Sequence, residues 1–152
     1  MNRNNKTTVA WISRHAPVPA QIAELEEKLG DITIVQVTDT YTNYHNIIET
    51  VRTSNARYGV LVIPLSMMQL ILKAETPDIT WLRAEMRPAH YGTCDMKPYG
   101  TECNLFDPET DVLMPITGNT GTRKSNRHIR FLEFVVLKSV NIETEPFKAV
   151  VS

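Results

Sequence analysis

A chain of 152 residues is the size of one ordinary domain and can bury roughly 68 to 70% of its unfolded surface, so it needs no disulfide or metal staple. Its 42% apolar and 22% charged residues exclude a wholly disordered or fibrous chain, and 16 Lys and Arg against 17 Asp and Glu exclude a basic protein that coats nucleic acid without specificity. No apolar run approaches the ~20 residues that cross a bilayer, and the polar start at 1–8 lacks the apolar core of a secretory signal. The resulting expectations are a cytoplasmic location, no membrane partner, and Cys94 and Cys103 as reduced thiols.

Residues 8–13 predict a short buried strand, because β-branched and aromatic residues dominate the run and a serine closes it. A helix follows: Pro17 and Pro19 suit its start, Ile22, Leu25 and Leu29 share a face, and Gly30 stops it. Glu24, Glu26, Glu27 and Lys28 read as its solvated face. Residues 32–37 predict a second strand, and Ile47, Ile48 and Val51 the apolar side of a second helix that ends at Ser54 and Asn55. The nearly continuous apolar run 58–63 predicts a central strand covered on both faces. Pro64 stops that strand, Ser66 can cap the next helix, and Met67, Met68, Leu70, Ile71 and Leu72 predict that this helix is short and largely buried.

A fourth strand is expected at 79–86, with Pro88 ending it. Residues 88–126 then break the rhythm, holding four of the nine prolines, four of the six glycines and both cysteines. They read as an insertion that is functional, disordered or folded into a small hairpin. Residues 129–136 and 140–143 predict late strands, with Phe131, Phe134 and Val136 buried, that pair antiparallel with the fourth. Alternating βαβα units imply helices on both faces of a mainly parallel sheet. The expected plan is therefore a single Rossmann-like three-layer α/β domain over 1–152, with a long loop insertion and late antiparallel strands.

Ligands of such sheets bind outside the strand carboxyl ends, near helix N-termini. Here those ends carry Ser13, Arg14 and His15, then Thr38 and Asp39, then Ser66. Arg14 can grip a phosphate through two hydrogen bonds, His15 can move a proton near neutral pH, and Ser13, Asp39 or Ser66 can contact the ligand. The same residues can instead cap the next helix and face water. No G-x-G-x-x-G follows the first strand, which disfavours a dinucleotide cofactor, and Gly118 to Ser125 fails the phosphate-loop spacing because only two residues separate its glycines.

Arg123, Lys124, Arg127, His128 and Arg130 form a basic cluster that suits contact with nucleic-acid phosphates or a solvated strand edge, with Arg123 and Lys124 as ligand-binding candidates. His90, Cys94, Asp95 and Cys103 lack the C-x-x-C spacing of a zinc site, so no metal and no cofactor are expected.

The strand through Val9 and Trp11, followed by Ser13, Arg14, His15 and a proline-led helix, resembles the opening of small CRISPR-associated Rossmann-fold (CARF-like) proteins of the ring-nuclease type. The resemblance extends in pattern to about Met86 and in residue type only over 13–17. It implies a homodimer that binds a cyclic oligoadenylate or other phosphorylated small molecule at the strand carboxyl ends. It further implies metal-independent phosphodiesterase chemistry, with Arg14 and His15 as catalytic residues and Ser13 and Ser66 near the phosphates. The competing expectation is a non-enzymatic module that uses 88–126 to dock a protein partner. Long nucleic acid held by the basic cluster is a third.

Overall fold

The computed structural model describes residues 6–38, 43–90, 105–115, 126–141 and 143–148. Strands β1 (Thr7–Ile12), β2 (Ile32–Val37), β3 (Tyr58–Leu61) and β4 (Thr80–Pro88) alternate with helices α1 (Pro19–Leu29), α2 (Tyr44–Thr53) and α3 (Leu65–Lys73). Strands β5 (Asp111–Pro115) and β6 (Asn126–Val136) follow. The six form one mixed sheet in the order β2-β1-β3-β4-β6-β5. The junctions β1–β2, β1–β3 and β3–β4 are parallel, while β4–β6 and β5–β6 are antiparallel.

Side chains of a strand alternate between faces, and β1 shows the consequence directly. Val9 and Trp11 join Leu25 of α1 with Val60, Leu82, Phe131 and Phe134 in one core cluster. Ala10 and Ile12 join Ile47, Ile48 and Val51 of α2 and Met68 and Ile71 of α3 in the other. The period of two in β1 and the period of 3.6 in the helices thus place α1 with one cluster and α2 and α3 with the other. Each fully buried aliphatic side chain in these clusters contributes roughly 1.5–3 kcal/mol.

The helix ends follow local chemistry. Pro19 opens α1, the Val18 amide donates to Gln21 Oε1 at 2.9 Å, and Gly30 closes it at φ 77°. Asn43 Oδ1 accepts from the His45 amide at the start of α2, and Asn55 takes the left-handed conformation after it. Gly59 on β3 serves a close approach, since a Cβ there would stand 2.4 Å from Cζ3 of Trp81.

Five expectations need correction. β3 ends at Leu61, so Val62 and Ile63 belong to the connection that turns into α3. Ser66 lies inside α3, whose N-cap is Pro64 with no side-chain cap bond, and Leu70 of that helix is exposed. Glu24 is not simply solvated: its Oε2 accepts the Phe134 amide of β6 at 2.7 Å, close to the register shift that leaves Leu132 as an extra residue opposite β4. Val136 is exposed at the strand end, and among the described residues 140–143 carry no strand. Finally, the expected insertion is partly sheet, because β5 pairs with β6 and the Glu109 carbonyl accepts the Ala20 amide of α1. Composition hides this, because β5 has only five residues and ends on a proline.

Candidate functional site

Strand β1 sits where the strand order reverses, with β2 on one side and β3 on the other. The chain leaves β1 toward α1 and leaves β3 toward α3, helices that belong to opposite core clusters. Such divergence opens a crevice beyond the carboxyl ends of the two strands. Two adjoining cavities lie there, and both are lined by Ser13, His15, Val62, Ile63 and Met114.

The turn after β1 is held at three points. Trp11 Nε1 donates to the His15 carbonyl at 2.8 Å, the His15 amide donates to Ser13 Oγ at 3.1 Å, and Gln36 Nε2 of β2 donates to the Ser13 carbonyl at 3.1 Å. Ser13 is buried by this arrangement, whereas Arg14 and His15 are exposed. Ser13 does not cap α1, whose N-cap is Val18; its hydroxyl oxygen instead accepts the His15 amide within the turn. The other two side chains are presented outward on a turn whose backbone is fixed from both β1 and β2.

The outer cavity, about 310 Å³, gathers Arg14, His15 and Thr38 with Pro64 and Met67. The inner one, about 220 Å³, is mostly apolar, with Trp11, Met86 and Val112 in its wall and Gln21 and Arg83 as polar members. Arg83 is paired with Glu85, and Gln21 is buried with its amide 3.9 Å from Met86 Sδ. The arrangement offers a cationic, hydrogen-bonding mouth beside an apolar recess. Such a pair of surfaces suits a ligand with an anionic group attached to an apolar or planar part.

Of the residues singled out from sequence, Ser13, Arg14, His15 and Thr38 come together. Ser66 is exposed in the first turn of α3 and does not line either cavity. Asp39, Arg123, Lys124, Cys94, Asp95 and Cys103 lie outside the described residues. Among the described residues, no three His, Cys, Asp or Glu side chains are grouped so as to hold a metal ion. No helix among them is long and apolar enough to cross a membrane.

The basic cluster is divided by strand geometry. His128 and Arg130, two apart on β6, both turn to Asp111 of β5. Asp111 Oδ2 lies 2.5 Å from His128 Nε2, and Arg130 grips both carboxylate oxygens at 2.7 and 3.0 Å. The Asp107 amide and the Thr110 hydroxyl add further donors. Burial pushes the Asp111 carboxyl up, yet Arg130, the Asp107 amide, Thr110 and His128 together hold it well below the usual carboxylate range. Phe106 and His90 pack against the His128 ring at centroid distances of 5.3 and 5.0 Å. This cluster joins the segment before β5 to β6, and Arg130 also donates to the Leu105 carbonyl. Its charges satisfy one another, so His128 and Arg130 do not form an open phosphate-binding edge.

Sequence reasoning missed Gln36, Gln21, Met114 and Asp111. Gln21 carried a signal, three residues after the residue that precedes Pro19. The others reach their partners only through strand pairing. Comparison with protein-family models, with curated proteins and with solved structures finds no match to this chain.

Proposed function

We propose that the crevice at the carboxyl ends of β1 and β3 binds a nucleotide or cyclic oligonucleotide through its phosphate, on a Rossmann-like three-layer domain with a mainly parallel sheet. The observation that carries the reading is the convergence of Arg14, His15 and Thr38 in one cavity at the point of strand-order reversal. Arg14 supplies a forked, permanently charged donor, His15 a group that gains or loses a proton near neutral pH, and the apolar recess a surface for a base. The resemblance of the Ser13 turn to ring-nuclease-type proteins favours a cyclic oligoadenylate as the ligand. A homodimer across this face belongs to the same proposal, since Val62 and Leu65 are exposed beside the crevice.

In the catalytic form of the proposal, a ribose 2′ oxygen bonds to the adjacent phosphorus as the bond to the 5′ oxygen breaks. His15 accepts the 2′ proton, the departing oxygen takes a proton from solvent, and Arg14 stabilises the charge gathering on the phosphoryl oxygens. Equilibrium binding and product analysis with labelled cyclic oligoadenylates test both forms. Binding that is lost in Arg14→Ala, and cleavage that is lost in His15→Ala, are the expected results. Absence of binding at high micromolar protein, or cleavage indifferent to both substitutions, overturns the reading.

The alternative, a protein-docking role for 88–126, draws less support because β5 and Asp111 tie part of that segment into the sheet. Deleting the whole segment would damage the fold, so its test is substitution of the exposed Leu105 rather than deletion.

A further inference from the structure

The cap of α1 accounts for only one end of the Gln21 carboxamide. Gln21 is the third helical residue, and its Oε1 accepts the Val18 amide at 2.9 Å. A glutamate accepts that amide equally well, so the cap gives no reason for the carboxamide nitrogen. The bond also fixes which end is which, because only the oxygen can accept. Nε2 keeps two hydrogens, and among the described residues its acceptor is the Met86 thioether sulfur at 3.9 Å, a weak one. Gln21 is 5% exposed. Buried polar groups ordinarily find a strong partner, so a buried donor set against a thioether needs an explanation.

Helix and strand periodicity bring its neighbours to one face of the sheet. Gln21 lies one turn before Leu25 on α1, and Leu25 packs in the cluster of Trp11 and Phe131. Met86 packs against the same cluster, Ile129 stands two residues from Phe131 on β6, and Val112 pairs with Ile129. These side chains wall the inner recess, which Gln21 lines beside Met86. Trp11 in that wall already spends its Nε1 on the His15 carbonyl, and Arg83 is paired with Glu85. The Gln21 amide is thus a buried donor at an apolar recess, with its oxygen tied back to the chain.

We infer that Gln21 determines specificity in the inner recess, its Nε2 donating to a ring nitrogen of the ligand's planar part. The inference rests on the proposed nucleotide reading, in which that part is a base, and adenine in the cyclic oligoadenylate form. A glutamine free at both ends reads adenine by donating and accepting together. With its oxygen taken, Gln21 only donates, so it favours an acceptor and rejects an N–H or C–H at the same place.

NMR and calorimetry on the full chain test this. The Gln21 side-chain amide is followed during titration with adenosine 5′-monophosphate, and affinities are compared with the 1-deaza, 3-deaza and 7-deaza analogues, each with one ring nitrogen replaced by C–H. A saturable shift of the Gln21 amide and roughly tenfold weaker binding of one analogue are expected. That discrimination should vanish in Gln21→Glu, which keeps an oxygen for Val18, and in Gln21→Met, which removes both ends of the amide. Nucleotide binding with an unmoved Gln21 amide, three analogues within about twofold of the parent, or discrimination that survives both substitutions overturns the inference and leaves the phosphate reading standing. Adenosine that binds as tightly as its monophosphate and shifts the Gln21 amide overturns the phosphate reading and keeps the role of Gln21. Binding of neither at high micromolar protein overturns both.

Discussion

Arg14 and His15 stand exposed on a turn whose backbone is pinned by Trp11 and Gln36, whereas His128 and Arg130, the same two residue types, are turned onto a buried carboxylate. At the first place the side chains line a cavity at the end of a strand. At the second they close on Asp111, and the side chains of His128 and Asp111 are 0% exposed. The difference teaches that residue type does not separate a ligand site from a structural clamp. What separates them is whether the side chain is packed onto a buried opposite charge or presented at a cavity.

The sharpest way to break this comparison is to remove the carboxylate of the clamp. Asp111→Ala strands a buried histidine and an arginine, and urea unfolding should show a loss of about 3–5 kcal/mol. A loss below about 1 kcal/mol would mean that the cluster does not hold β5 to β6. The same carboxylate gives a pH signature. Its folded value lies below the ~3.9 of an unfolded aspartate, so the unfolded chain binds more protons in acid. The stabilisation is complete above about pH 5 and falls away as pH drops through the folded value. Asp111→Asn should flatten that part of the stability profile, and an unchanged acid limb would assign the effect elsewhere.

The exposed pair should behave in the opposite sense. His15→Ala should leave stability within about 0.5 kcal/mol, because the bonds of Trp11 and Ser13 reach only the backbone of His15. Arg14→Ala should nevertheless weaken nucleotide binding roughly ten- to hundredfold, the range of a charged hydrogen bond worth about 1.5–3 kcal/mol. If thermal unfolding shifts as much as affinity does, the turn is a structural clamp like the other.

A control that touches neither region is Gly59→Ala, whose new methyl meets the Trp81 ring held in place by its bond to Thr76. Overpacking should cost about 1–3 kcal/mol while ligand affinity stays unchanged. Gln36→Ala removes one bond to the Ser13 carbonyl. A stability loss of about 0.5–1.5 kcal/mol, with weaker ligand binding from a looser turn, is expected in paired melting and binding assays. Unaltered binding would show that Gln36 is not needed to position the turn.

Local pattern was enough to locate β1 to β4 and the three helices, because alternation in β1, the spacing of Ile47, Ile48 and Val51, and the stop at Gly30 are properties of short stretches of chain. It also brought Ser13, Arg14 and His15 forward, since a strand carboxyl end is marked by its own residues. Tertiary structure alone decided the fate of the second half. β5 is too short to announce itself, and Asp111 meets His128 and Arg130 only when two strands separated by ten residues pair antiparallel. Glu24 looked solvated, but the packing of α1 against β6 brings its carboxylate to the Phe134 amide. Burial and charge matching are sums over distant neighbours, so the sequence by itself determined where the candidate turn lies, and the packed sheet decided that His128 and Arg130 are spent on a buried carboxylate.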